Sequence, residues 1–228
     1  MRENHWTFTS RGNPKKDEVL WLRDPLHSFD RSFSPELPSE YYLTVAEGPE
    51  KFSGFSNEDI LDFLLKRKKK QILIAEGFSA RLIWPLLTQP NDKILSAFLI
   101  FPNPLPVSGY STSILEKTDW FLRNLTQIPK FFLDPFGLEK LWNGLEKEDL
   151  YSQKAKCPIG ILLPRTVGPL ETQAEILQNI SVGTSVFRWE AQNPRFSEPT
   201  TGMLSKILEP FLKSGGQKPV KDSSRTRF

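Results

Sequence analysis

The chain has 228 residues, carries a formal net charge of +3, and is 38 % hydrophobic and 25 % charged. A chain of this length buries roughly 70 % of the surface it would expose unfolded, so one or two domains stand without disulfide or metal staples, and wholesale disorder is excluded. The positive excess is local: Lys213–Phe228 holds five bases and one acid, which leaves the preceding 212 residues close to neutral and gives no general reason to expect nucleic acid as a ligand.

Read from the amino terminus, Met1–Arg11 is polar and lacks the apolar centre of a secretory signal. Glu18–Leu22 is a short apolar run between Gly12-Asn13-Pro14 and Asp24-Pro25, which predicts a buried strand. Tyr41–Ala46 is a second strand, stopped by Gly48-Pro49. Asn57 is placed to cap an amphipathic helix over Glu58–Lys69, with acids in its first turn and bases in its last, as the helix dipole prefers. Gln71–Ala75 is a third strand, followed by a Gly77–Ala80 turn and an apolar helical segment, Leu82–Leu87. Ile94–Phe101, Cys157–Leu163 and Ser185–Glu190 are the remaining strands, and Glu171–Ile180 and Thr201–Leu212 are helices. Strands alternating with helices give an α/β fold: a mainly parallel sheet with helices on both faces.

Pro104–Lys156 interrupts this rhythm. It has helical stretches at about Ser113–Leu125 and Leu138–Tyr151 and is rich in aromatics, Trp120 and Phe121 among them. It reads as a short helical cap insertion, its aromatics either sealing it to the sheet or lining an apolar pocket. The expected organisation is therefore a core of 1–103 and 157–212, a cap of 104–156, and a disordered basic tail of 213–228. No apolar run approaches the ~18 to 20 residues of a membrane span. The single cysteine, Cys157, cannot form an intrachain disulfide and reads as a small buried hydrophobe; a reducing cytoplasm is the expected compartment.

Gly77-Phe78-Ser79-Ala80-Arg81 lies between a buried strand and a helix, where a nucleophile elbow belongs. From about Glu18 to Leu212 the chain resembles the α/β-hydrolase fold family. Glu18-Val-Leu-Trp-Leu-Arg-Asp-Pro25 is similar to the family's strand ending in His-Gly. Ala46–Ser56 resembles its Asp-x-x-Gly-x-Gly-x-Ser stretch, and Ile72–Ser79 resembles the elbow. Phe98–Pro104 resembles the strand that enters the cap, Cys157–Pro164 the strand before the triad acid, and Arg188–Pro199 the region around the histidine. The resemblance implies Ser79 as nucleophile, the N–H groups of Ala80 and Asp24 as oxyanion donors, and a pocket bordered by Phe78, Arg81, Asn193, Trp120 and Phe121.

The chemistry departs from that pattern. The only histidines, His5 and His27, both precede Ser79, so the usual Ser…acid…His order is impossible, and Asn193 stands at the histidine position. Pro164–Pro169 carries no carboxylate where the acid belongs, and Arg81 replaces a glycine. Without a base the serine hydroxyl stays protonated and is a poor nucleophile. Two readings follow. One is a degenerate α/β-hydrolase-fold protein that binds a small apolar ligand or a protein partner. The other is a serine esterase acting on an acyl ester, free or carrier-protein linked, with a relocated base such as His27. Lys66–Lys70 reads as a solvated basic run or as a contact for an acidic partner. Two histidines and one cysteine make no credible zinc site, and neither a phosphate loop nor a dinucleotide fingerprint is present, so no cofactor is expected.

Overall fold

The computed structural model describes residues 5–24, 37–49, 56–100, 153–164, 183–189 and 201–214. The strands are β1 (Thr7–Arg11), β2 (Asp17–Leu22), β3 (Tyr41–Glu47), β4 (Gln71–Glu76), β5 (Ile94–Ile100), β6 (Ile159–Pro164) and β7 (Thr184–Trp189). They form one sheet in the order β1-β3-β2-β4-β5-β6-β7. β1 pairs antiparallel with β3, and every other pairing is parallel. The described helices are α1 (Glu58–Leu65), α2 (Phe78–Thr88) and α3 (Thr201–Lys213). None of them is long and apolar enough to cross a membrane.

The central strands are apolar at nearly every position because both faces of the sheet are covered. Successive side chains point to opposite faces. Leu20, Leu22, Leu73, Ala75, Ala97 and Leu99 therefore pack with Ile60 and Leu64 of α1 and Ile83, Trp84 and Leu87 of α2. Val19, Trp21, Ile72, Ile74, Phe98 and Ile100 turn the other way and pack with Leu204, Leu208 and Phe211 of α3. The mainly parallel sheet with helices on both faces is thus present.

Three local expectations are corrected. α1 ends at Leu65, short of the basic run, and is closed by the Lys66 N–H on the Asp62 carbonyl and the Arg67 N–H on the Leu64 carbonyl. Asn57 makes no side-chain cap; the Ser56 hydroxyl accepts the Glu58 N–H at 3.1 Å instead. β1 was not anticipated, because Phe8 is its one large apolar residue. Phe8 stacks on Phe63 of α1 at 4.3 Å, and Ser10 and Thr44 hydroxyls bond across the pair at 2.9 Å. The cap, apart from 153–156, the helix Glu171–Ile180 and the tail beyond Ser214 lie outside the described residues. α3 itself runs to Lys213, one residue into the stretch read as tail.

Gly160 in β6 is a packing requirement. A Cβ there would lie 2.7 Å from Cε2 of Phe98 and 3.0 Å from Cδ2 of Phe211, two rings that meet edge to face at 5.1 Å. Gly160→Ala is expected to lower stability by ~1–3 kcal/mol, the usual cost of overpacking. Urea unfolding of the two proteins measures this.

Candidate functional site at the carboxyl end of β4

β4 ends at Glu76 and α2 begins at Phe78, so one residue, Gly77, makes the whole strand-to-helix turn. Its φ of 48° and ψ of −115° lie in a region that side chains rarely adopt. The Gly77 N–H donates to the Ile100 carbonyl at 2.9 Å, which ties the turn to β5.

This moves the elbow two residues from its expected place. Ser79 is not at the turn but in the first turn of α2, fully buried, and its hydroxyl donates to the Arg23 carbonyl at 2.6 Å. The sequence around the turn reads Ala75-Glu76-Gly77-Phe78-Ser79, with small residues two before and two after the strained position. Ser79 is one of those small flanking residues, and the strained turn position itself has no side chain.

The space a side chain would fill is taken. A Cβ on Gly77 would overlap Oδ2 of Asp24 and lie 2.6 Å from its Cγ. Asp24 follows β2 and is itself buried. Two donors expected for an oxyanion hole are also engaged. The Asp24 N–H donates to Oε2 of Glu76 at 3.2 Å, and the Ala80 N–H to the Gly77 carbonyl at 3.3 Å.

Glu76 holds this corner together. Its Oε1 accepts the indole N–H of Trp21 at 2.5 Å while Oε2 accepts from Asp24. Burial pushes the Glu76 carboxyl up to about 7. The two hydrogen bonds and the Arg23 charge oppose that rise, and the Asp24 charge adds to it. The sequence reading ended this strand at Ala75 and gave Glu76 no role. The signal was there: an acid closing an otherwise apolar run, at a position where no water reaches.

Arg81, expected at the border of the pocket, is buried on α2. Arg23 approaches Glu47 at 3.7 Å. Phe78 begins α2, and its side chain lies outside what is described. His27, Asn193, Trp120 and Phe121 fall outside the described residues. His5 faces Asp59 at 3.2 Å. Burial pushes the Cys157 thiol up to about 11, which keeps it protonated near neutrality. Among the described residues, no group of three or more His, Cys, Asp or Glu could hold a metal ion.

The basic run lies at the other end of the sheet, before β4. Arg67 pairs with buried Glu18 at 3.2 Å and sits 4.3 Å from the Phe63 ring centroid. Lys69 donates to the carbonyls of Lys15 and Lys16, and Lys66 pairs with Asp62 at 3.7 Å. Lys66, Arg67 and Lys69 thus have partners among the described residues.

No family model matches the sequence, and no curated protein matches it. Solved structures do match its fold. A hydrolase from Oleispira antarctica has a TM-score of 0.69 at 16 % identity, over 93 % of this chain and 95 % of that one. The enol-lactonase of Burkholderia xenovorans has a TM-score of 0.63 at 12 % identity, over 91 % and 96 %. An α/β-hydrolase enzyme from a sediment metagenome of the Mar Chica lagoon, Morocco, has a TM-score of 0.63 at 12 % identity, over 94 % and 97 %. The chain has the α/β-hydrolase fold.

Two predictions test the corner. Gly77→Ala should cost at least ~1–3 kcal/mol from the backbone alone, and clearly less in an Asp24→Gly background. A thermodynamic cycle by chemical unfolding reads the difference. For Glu76 the folded value, about 7, lies above the ordinary 4.5. The folded protein therefore holds a proton that the unfolded chain gives up. Stability should be full below pH ~4.5 and fall by on the order of 3 kcal/mol as pH rises to ~7 and beyond. Glu76→Gln should remove that part of the slope, as unfolding midpoints at pH 5 and pH 8 would show.

Proposed function

We propose that this chain is a binding protein built on the α/β-hydrolase fold, working without a serine–acid–histidine triad and taking a small apolar or acyl ligand or a protein partner. The observation that carries this reading is the turn itself. Gly77 has the backbone conformation of a nucleophile elbow and no side chain, and Asp24 fills the space above it. Ser79 supports it further. A fully buried hydroxyl whose proton is donated to a backbone carbonyl is shielded from a substrate and must break that bond before a base can take the proton. The engaged N–H groups of Asp24 and Ala80 leave both assigned oxyanion donors occupied.

The second reading, an esterase with a relocated base at His27, draws support from the fold likeness to an enol-lactonase. It requires Ser79 to leave Arg23 and a base to reach it. Fold likeness alone does not carry the chemistry across, because one fold hosts many reactions.

A fluorophosphonate probe separates the two. Such probes need an activated serine, so labelling should be far slower than for an intact hydrolase of this fold, and Ser79→Ala should leave the rate unchanged. Rapid, stoichiometric labelling that Ser79→Ala abolishes would establish the esterase instead. Thermal shifts against a panel of fatty acids and acyl esters should show saturable stabilisation by at least one apolar ligand.

A further inference from the structure

The parallel strands all begin at the end of the sheet opposite the Gly77 corner, and β2, β4, β5 and β6 stand there side by side. Each is entered through a basic segment. Lys15 and Lys16 precede β2, the run of five from Lys66 precedes β4, Lys93 precedes β5, and Lys154 and Lys156 precede β6. The four segments, 13–17, 66–70, 89–93 and 153–158, hold ten bases and two acids. Of the chain's 30 bases and 27 acids, that leaves 20 bases against 25 acids elsewhere. Neighbouring strands lie about 4.8 Å apart, so the row is ~14 Å long and each segment falls within about one Debye length of the next. Backbone acceptors fix the row: Lys69 donates to the Lys15 and Lys16 carbonyls, Lys93 to the Arg67 carbonyl at 3.0 Å, and the Lys156 N–H to the Leu87 carbonyl at 2.8 Å. These acceptors are neutral and cancel no charge. Among the described residues, only Lys66 and Arg67 of the ten meet a carboxylate, on Asp62 and Glu18. α3 ends on the same side, since Lys213 feels the charge of Glu40, the residue before β3.

Two further features select the partner. Leu65, immediately before the run, is 57 % exposed and is the one exposed large hydrophobic side chain among the described residues. Nine of the ten bases are lysines, and the one arginine is spent on Glu18 and the Phe63 ring. Phosphates or carboxylates at fixed geometry favour the guanidinium fork, whereas lysine point charges suit a diffuse anionic surface. Lysines beside an exposed apolar side chain match a bilayer, with charge on the headgroups and the apolar group at the acyl boundary. We propose that this end of the sheet is a docking face for an anionic lipid bilayer, with Leu65 entering the headgroup boundary and the Gly77 corner turned away from the membrane. None of its residues belongs to that corner, so the proposal stands or falls apart from the ligand-binding reading.

The test is cosedimentation of the full chain with vesicles of equal parts phosphatidylcholine and phosphatidylserine, and with vesicles of phosphatidylcholine alone. Binding should require phosphatidylserine and weaken at least ~10-fold between ~0.05 M and ~0.5 M salt. Lys15→Gln, Lys68→Gln and Lys70→Gln together replace three exposed lysines that hold no carboxylate in the fold. That variant should bind on the order of 100-fold more weakly, about fivefold for each charge. Leu65→Ser should weaken binding ~5- to 10-fold and leave the salt dependence unchanged. Lys206→Gln, exposed on α3, should bind as the parent does. Lys218→Gln, Lys221→Gln, Arg225→Gln and Arg227→Gln together separate the carboxyl-terminal bases from the row, and should cost less than the three-lysine variant. No binding to either vesicle, equal binding to both, or loss in the carboxyl-terminal variant with the three-lysine variant unaffected would overturn the proposal. So would indifference to vesicles combined with binding to duplex DNA or polyglutamate that the three-lysine variant abolishes, which would make the face a site for a soluble polyanion.

Discussion

A carboxylate at the dry end of a central strand must have its oxygens occupied, because burial without partners costs several kcal/mol. Glu76 meets that demand with an indole from β2 and an amide from the residue just beyond it. The geometry of the corner follows. Drawing Asp24 toward Glu76 brings its side chain over the next residue of β4's path, and only a residue without Cβ fits beneath it. Gly77 can then take a backbone conformation that permits α2 to start at once, with Ser79 close enough to bond the Arg23 carbonyl. Four contacts between the two segments thus trace back to one buried acid.

β2 and β4 carry a second buried acid at their opposite ends. Glu18 starts the apolar stretch of β2, receives the Gln71 side-chain amide at 3.3 Å, and pairs with Arg67. Burial pushes its carboxyl up, and the Arg67 charge restrains the rise. The two ends differ in what answers the acid. At the amino end a full positive charge does so, and the basic run is where that charge comes from. At the carboxyl end two neutral donors answer the acid, and burial outweighs them, pushing the Glu76 carboxyl up to about 7.

Much of the fold was legible in the residues. The strands after β1 showed as apolar runs bounded by glycine and proline, and α3 showed as an amphipathic period; burial on both sheet faces makes such signals strong. β1 was hidden because an edge strand with one covered face needs few apolar residues, and Phe8 alone supplies its packing. The site was legible in place but not in register. Strand, glycine, serine and helix were correctly located at β4–α2, yet a small–x–turn–x–small pattern reads the same whether serine stands at the turn or flanks it. Ser79 drew attention because it is chemically conspicuous. The residue that decides the corner, Gly77, is conspicuous only in its φ and ψ, and its partner Asp24 lies 53 positions earlier in the chain. Spacing carries no information on which side chain a fold will lay across a distant turn.

The order of the strands has a consequence for how the molecule assembles. β2 joins β4 only after the chain has made β3 and α1, and β5 finds β6 some 60 residues further on, as in the pairing of Ala97 with Ile159. Nearly every ladder therefore closes a long loop before its contacts repay the lost entropy. During that search the apolar strands in the middle of the sheet are exposed on both faces and both edges. Pairings of such separation slow folding relative to a helical chain of the same length.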